Sequence, residues 1–230
     1  MNNVPVITID GPTASGKGTI AQRVADALRF NYLDSGALYR LVAWRALQDA
    51  VSADDADQLS AVAAAIAPRF AGGRISMDGQ DVTAAIRTEE ISQFASRIAA
   101  FSGVRSALLK LQRSQRRPPG LVADGRDMGT VVFPEASPKI YLTASVAARA
   151  DRRYKQLIEK GFSASITPLS QEQVRREIEA RDQRDMQRAA SPLKPAEDAH
   201  LIDSSQLTVG EVVSLVLNWY AQSQEVASRQ

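Results

Sequence analysis

The chain of 230 residues contains no cysteine and only one histidine, His200. Without cysteine it can form no disulfide, no thiolate zinc site and no cysteine nucleophile. A Ser-His-Asp triad or a histidine-ligated metal would have to use His200, which opens a predicted strand, so neither is expected. These absences exclude several common kinds of catalytic site and fit a reducing compartment.

Long apolar runs and a strong net charge are also missing. No apolar segment approaches the roughly 20 residues that span a bilayer, and the N-terminus enters the first strand without a signal-peptide pattern. The formal net charge is only +2, which gives little attraction for nucleic acid or membranes. We expect a cytoplasmic monomer with small-molecule partners, and no binding to nucleic acid or membranes.

An apolar strand and a helix surround a glycine-rich loop near the N-terminus. Residues 6–9 form a β-branched run typical of a strand buried on both faces of a parallel sheet. The Gly11-Pro12 turn ends this run, and residues 20–28 carry apolar side chains at helical spacing. A strand, a glycine-rich loop and a helix in this order are the structural context in which such a loop binds phosphate.

The loop has the G-x-x-x-x-G-K spacing of phosphate-binding loops, through Gly11, Gly16 and Lys17. Its backbone N–H groups and the positive helix end would surround phosphates, and Lys17 would add a mobile charge. Gly18 replaces the Ser or Thr of the strict motif, and a hydroxyl follows at Thr19, so a role for Thr19 on magnesium stays open. The alternative is a chance glycine turn.

Further apolar runs predict strands at 30–33, 121–123, 140–142 and 201–203. Together with the first strand they predict an α/β fold, a five-stranded parallel sheet with helices on both faces. Residues 69–83 differ, because Gly-Gly and Asp-Gly turns separate short alternating runs, which predicts hairpins of an inserted antiparallel sheet. Helices are predicted at 52–67, 86–100, 104–111 and from about 172, with capping residues at Ser35, Ser145 and Thr208 with Glu211.

Charged residues that could bind a ligand follow the third predicted strand, and a second group lies on the helix predicted from about residue 172. Asp124, Arg126 and Asp127 lie where ligands of open α/β sheets bind; a structural turn is the alternative. Positions 181, 184, 185 and 188 place arginines and an aspartate on one helix face, which is predicted not to be core. The alternative there is a solvated, salt-bridged face.

Arginine-rich chemistry without histidine suits phosphoryl transfer. Its loose transition state needs charge stabilisation, alignment and exclusion of water more than acid–base catalysis. One lysine in a phosphate loop and several distant arginines could supply that stabilisation. The recurring arginines are Arg40, Arg126, Arg149, Arg152, Arg153, Arg181 and Arg188.

Several segments together resemble the bacterial cytidylate kinase family along nearly the whole chain: residues 9–12, 16–19, 33–40, 86–88 and 123–134. The G-K-G-T form of the loop is typical of nucleoside monophosphate kinases, and G-R-D-M-G-T at 125–130 is the more specific marker. The resemblance implies a P-loop NTPase-like core, a small antiparallel insertion and a lid. It also implies transfer of the γ-phosphate of ATP to CMP or dCMP with Mg²⁺.

By matching position, the resemblance implies two nucleotide sites and a catalytic set. The ATP site would comprise Gly11, Pro12, Thr13, Ala14, Ser15, Gly16, Lys17, Gly18, Thr19, Arg152 and Arg153. CMP would be bound by Ser35, Arg40, Arg126 and Arg188 at its phosphate, by Ser96, Arg105 and Asp127 at the cytosine, and by Arg181 and Asp185 at the ribose. The catalytic set is Lys17, Asp124, Arg126 and Arg188, with Asp124 orienting magnesium through water and no direct metal ligand assigned.

The implied domains are a core (1–35, 106–151 and 171–230), a monophosphate-binding domain with the insertion (36–105), and a lid (152–170). Residues 161–170 are predicted to form a loop. Two other functions stay open. One is a kinase for UMP or AMP; the other is a nucleotide-binding switch, although no N-K-x-D-like segment for reading guanine is present.

Overall fold

The computed structural model describes residues 4–159 and 170–228. In chain order the strands are β1 (Val6–Asp10), β2 (Asn31–Asp34), β3 (Arg69–Ala71), β4 (Arg74–Met77), β5 (Gln80–Asp81), β6 (Leu121–Gly125), β7 (Lys139–Thr143) and β8 (His200–Asp203). The α-helices are α1 (Lys17–Leu28), α2 (Ser35–Gln48), α3 (Ala56–Ala65), α4 (Glu89–Ile98), α5 (Ser102–Arg113), α6 (Val146–Glu159), α7 (Gln171–Gln187) and α8 (Val209–Ala227). Within these described residues, no helix combines the length and the apolarity that a membrane crossing requires.

The chain divides into two compact units, one of Met1–Leu33 with Arg116–Gln230 and one of Asp34–Gln115. Residue 105, the predicted end of the monophosphate-binding domain, lies inside α5. Residues 152–159 of the predicted lid belong to α6, and residues 160–169 of the lid lie outside the described residues. The assignment of domains to nucleotides stays a prediction.

The first unit is built on a parallel sheet with the strand order β2-β6-β1-β7-β8. The five predicted strands and the predicted fold class are confirmed. Every residue of β1 and β6 is buried, as expected for central parallel strands covered on both faces. The register pairs Ile9 with Asp124 and Asp10 with Gly125, so the loops after β1 and β6 leave the same edge of the sheet.

Helices of this unit bury one apolar stripe each. In α1, Ile20, Ala21, Val24 and Ala25 join the main core together with residues of the sheet and of α8. A second cluster forms between α6 and α7 from Ala150, Leu157, Val174 and Ile178. The predicted capping box of Thr208 with Glu211 is confirmed, as is Ser145, which accepts the N–H of Ala148 at 3.2 Å.

The second unit combines α2 to α5 with the antiparallel sheet β3-β4-β5. The predicted hairpins are confirmed, with Phe70 opposite Ile75 in the first and Met77 opposite Gln80 in the second. Asp78 and Gly79 have φ of +52° and +80°, the paired left-handed conformation that suits two-residue hairpin turns.

Two sequence predictions in this unit are wrong. Asp34, not Ser35, caps α2: its carboxylate accepts the N–H of Ala37 at 3.0 Å, since Asp34 is extended while Ser35 is already helical. The helix predicted over 86–100 is divided at Thr88, which has extended backbone angles and caps α4 by accepting the N–H of Ile91. A 3₁₀ turn (Ala85–Arg87) precedes it.

Candidate functional site

The loop between β1 and α1 depends on glycine at two positions. Gly11 has φ +155° and Gly16 has φ +90°, both in the region that favours glycine. A Cβ on Gly11 would lie 2.0 Å from the carbonyl oxygen of Leu142, so no other residue fits there. Gly18 lies within α1, and a Cβ on it would keep ordinary contact distances, 3.5 Å from the hydroxyl of Tyr32.

Lys17 opens α1, and its Nζ donates to the carbonyl oxygen of Pro12 at 3.1 Å. Burial and the nearby Arg126 guanidinium lower the pKa of Lys17 to about 7, although Asp124 opposes the shift. The amine therefore titrates near neutral pH. A phosphate group placed beside it would favour the ammonium form and raise this pKa.

Asp124 ends the apolar part of β6 with a buried carboxylate directed toward the loop. Its Oδ1 accepts a hydrogen bond from the hydroxyl of Tyr32 at 2.7 Å, and its Oδ2 lies 3.9 Å from where a Cβ on Gly18 would stand. Tyr32 was not predicted as a functional residue. It orients the carboxylate, which fixes where the negative charge lies relative to the first turn of α1.

Arg126 connects the loop after β6 with α7. Its Nε donates to Asp185 at 2.8 Å and its Nη2 to the hydroxyl of Thr13 at 2.9 Å. Arg188 lies on the other side of the same carboxylate, 3.7 Å from Asp185. Burial alone would raise the pKa of Asp185. The guanidinium groups of Arg126, Arg188 and Arg181 lower it by more, so the pKa lies below its usual value. The carboxylate stays ionised and holds two guanidinium groups in a buried cluster.

The predicted charged face of α7 is only partly correct. Arg184 is exposed, but Asp182, Asp185 and Arg188 are buried. The stripe of α7 that buries Val174 and Ile178 continues toward the C-terminus with charged residues. They tolerate burial because each has an oppositely charged partner.

Two arginines of α6 bind carbonyl oxygens of the loop. Arg149 donates to the carbonyl oxygen of Thr13 at 3.0 Å, and Arg152 donates to that of Ser15 at 3.3 Å. Arg152 also donates to the carbonyl oxygen of Ser204 at 2.5 Å. Of the two arginines predicted to bind ATP, Arg152 therefore lies at the loop, and Arg153 is the next residue on α6.

Asp10 connects the end of β1 with the segment that contains Asp127. Its two carboxylate oxygens accept the N–H groups of Met128 and Gly129 at 2.9 and 2.8 Å. Burial raises the pKa of Asp10 to about 7, and these two donors oppose that shift. Asp127 itself is buried, at 3% exposure. The hydrogen bonds explain how the backbone around Asp127 is held against the sheet.

The second unit contains the remaining residues of the predicted CMP site. Ser35, Ser96 and Arg105 are buried, and Arg105 lies over the ring of Tyr39, with its guanidinium carbon 5.7 Å from the ring centroid. Arg40 pairs with Asp34 at 2.5 Å. The Ser96 hydroxyl and the Arg40 Nε are buried without a hydrogen-bond partner among the described residues, as is common for groups that bind a ligand.

The first unit thus brings together the predicted residues Lys17, Asp124, Arg126, Asp185 and Arg188 around the loop. Three groups with evident roles there had no predicted role: Asp10, Tyr32 and Asp182. Arg149, which holds the Thr13 carbonyl, is one of the recurring arginines of the sequence. Asp182 offered a sequence signal, because it lies three residues before Asp185 and thus one turn away on the same helix. Asp10 and Tyr32 carry no local pattern that distinguishes them from structural residues.

The comparisons with known proteins agree with one another. A model of the family described as cytidylate kinase matches residues 7–222. The chain is 58% identical to the cytidylate kinase of Bordetella bronchiseptica, over 94% of this chain and 95% of that protein. It is 54% identical to the cytidylate kinase of Ralstonia nicotianae, over 98% and 96%. A crystal structure of an uncharacterized protein from Eubacterium ventriosum shares the fold, with TM-score 0.50, 9% identity and coverage of 95% and 98%.

Alanine substitution of Gly11 and, as a control, of Gly18 tests the loop geometry. Gly11→Ala forces a methyl group against the Leu142 carbonyl, and we expect it to lower the free energy of unfolding by about 3 kcal/mol. Gly18→Ala, the matched control, should leave it unchanged or raise it by up to about 1 kcal/mol, since alanine is the better helix former. Urea denaturation measures both. Equal stability of the two variants would contradict the loop geometry.

Proposed function

The chain belongs to the cytidylate kinase family, and we propose that it phosphorylates CMP and dCMP with ATP through the residues around its phosphate-binding loop. The reaction follows from the family, in which ATP is the phosphoryl donor. The roles of individual residues are the proposal. The observation that carries it is the cluster of Lys17 and Arg126, which are half-buried, and the buried Arg188 beside that loop.

We assign the triphosphate to the loop. The N–H groups of residues 11–19 and the positive end of α1 would bind the phosphate oxygens. Lys17 would exchange the Pro12 carbonyl for a phosphate oxygen, which is a stronger acceptor because it is charged. Arg152 and Arg153, on α6, would add positive charge. Support comes from the hydrogen bond of Arg152 to the Ser15 carbonyl oxygen of the loop, at 3.3 Å.

We assign the phosphate of CMP to Arg126 and Arg188, together with Ser35 and Arg40 of the second unit. Arg126 and Arg188 already share Asp185, so their fork-shaped donor groups are fixed before a nucleotide binds. The cytosine would be read by Ser96, Arg105 and Asp127, and the ribose by Arg181 and Asp185. The buried hydroxyl of Ser96 supports this assignment, because it lacks a partner within the described residues.

The chain's own residues would work by placing charge and excluding water. The γ-phosphoryl group is transferred through a loose transition state that needs charge stabilisation at its oxygens. Lys17 and Arg126 would provide it, and burial strengthens their effect. Water must also be kept from the phosphoryl group. The described part of the predicted lid, residues 152–159, belongs to α6, whose Arg152 donates to the loop backbone. No residue is proposed as a general base.

Magnesium fits this site at Asp124. Mg²⁺ in kinases commonly takes one or two carboxylates and completes its shell with phosphate oxygens and water. The structure supplies one buried, oriented carboxylate at the loop, and over residues 4–159 and 170–228 no cluster of three or more His, Cys, Asp or Glu could hold a metal by itself. Asp124 would therefore hold the ion through water, with Thr19 as a further candidate. When bound, the ion neutralises charge on the β- and γ-phosphates.

We further propose that the chain acts as a cytoplasmic monomer. The nucleotide substrates are small molecules, and the formal charge of +2 provides little attraction for nucleic acid or membranes.

A panel of phosphoryl acceptors tests the function. With ATP and Mg²⁺, we expect kcat/KM for CMP and dCMP to exceed that for UMP and AMP by at least about tenfold, because polar groups that read cytosine would be left unpaired by another base. A coupled ADP-release assay measures all four. Equal use of UMP or AMP would overturn the substrate assignment, and rapid ATP hydrolysis that no monophosphate alters would favour a switch.

Proton uptake on ATP binding tests the role of Lys17. With its pKa lowered to about 7, the free lysine is mostly neutral at pH 8 and mostly charged at pH 6. The phosphates should charge it fully, so binding takes up about 0.9 proton at pH 8 and about 0.1 at pH 6. Calorimetry in buffers of different ionisation enthalpy measures the number of protons taken up by the original protein and by Lys17→Arg, whose arginine is always charged. Identical uptake in both proteins at pH 8 would contradict the role.

A further inference from the structure

Thr13, in the middle of the loop, is held by hydrogen bonds at three of its atoms. Its backbone N–H donates to Oδ1 of Asp182 at 3.1 Å. Its carbonyl oxygen accepts from Arg149 at 3.0 Å, and its hydroxyl accepts from Arg126 at 2.9 Å. Asp182 and Arg149 also bind each other directly. The two peptide groups that flank the Cα of Thr13 are therefore held by a single buried ion pair, made by α6 and α7.

Burial of this ion pair costs desolvation free energy, which good geometry and additional hydrogen bonds must offset. The side chains of Arg149 and Asp182 are only 6% and 8% exposed. A buried pair loses most of its attraction to the desolvation of its charges. Asp182 accepts the N–H of Thr13 and pairs with Arg149, and Arg149 also donates to the carbonyl oxygen of Ala144, two residues before α6 begins. The pair thus connects the loop to two helices rather than only joining those helices.

A second carboxylate on α7 completes the connection. Asp185 lies one helical turn after Asp182 and binds Nε of Arg126, whose Nη2 reaches the Thr13 hydroxyl. One face of α7 therefore holds the loop peptide with Asp182 and the guanidinium of Arg126 with Asp185. The distance between the loop and Arg126 is set by the rigid spacing of the helix.

We propose that Asp182, with Arg149, is a positioning residue that holds the phosphate-binding loop in the conformation that receives ATP. The inference rests on the proposed assignment of the triphosphate to this loop. Asp182 touches no substrate in this account. It acts by fixing the Thr13 peptide, because small displacements of groups that bind phosphate reduce affinity and turnover steeply.

The test is the affinity for ATP, measured by calorimetry with Asp182→Asn. This substitution keeps an oxygen that can accept the Thr13 N–H but removes the charge that holds Arg149. We expect ATP affinity to fall by about tenfold, with CMP affinity within about twofold of the original. Glu179→Gln is the matched control, since Glu179 is an exposed carboxylate on the same helix, paired with Arg175; it should change neither affinity.

A second variant keeps the test decisive if Asp182→Asn does not fold. Asp182→Glu preserves the charge and the pairing with Arg149 but displaces the acceptor by one methylene, so it should also weaken ATP several-fold. The proposal would be overturned if a folded variant of either kind bound ATP within twofold of the original affinity. This holds even if the thermal stability of that variant is lower. Because binding is measured without turnover, a failure of the CMP kinase assignment would appear separately, as ATP binding by the unsubstituted protein without phosphorylation of CMP.

Discussion

Positive charge buried beside a glycine-rich loop is the constraint on which the rest of the site depends. Lys17 and Arg126 lie close enough for each to affect the other, and burial lowers the pKa of the lysine to about 7. Such a cluster is unfavourable by itself, since desolvated like charges repel. It becomes favourable when a polyanion arrives. A bound triphosphate would relieve this repulsion, which is the physical basis of the proposed assignment.

Carboxylates make this arrangement stable enough to fold. Asp185 accepts from Arg126 and lies beside Arg188, Asp182 holds Arg149 and the loop peptide, and Asp124 lies toward the first turn of α1. Each carboxylate also limits where a cation can point. The same groups that offset the charge thus also fix the positions of the cations to which we assign phosphoryl transfer.

The sequence predicted the fold and the chemistry from features that are local. Buried parallel strands appear as β-branched runs, and the loop shows itself by glycines whose backbone angles no other residue adopts easily. The sequence favours Ser35 as the cap of α2 because serine is a common cap residue, but aspartate is equally common there, and only the backbone angles decide for Asp34. Thr88 likewise interrupts a helix that periodicity alone would continue.

Partners that are distant in sequence could not be predicted in this way. Asp182 meets Thr13 across 169 positions, and Tyr32 meets Asp124 across 92; no spacing rule connects such pairs. The arginines of the cluster are visible in the sequence as recurring arginines, but the individual role of each comes only from the family resemblance. Their common partner, Asp185, was assigned to the ribose, and the structure adds that it also holds Arg126.

A crystal structure with CMP and a non-hydrolysable ATP analogue would test the central claim most directly. The account predicts that Nζ of Lys17 leaves the Pro12 carbonyl for a phosphate oxygen of the analogue, with the Arg126 guanidinium on the phosphate of CMP. A triphosphate bound elsewhere, with Lys17 still on Pro12 and Arg126 directed away from both nucleotides, would contradict it.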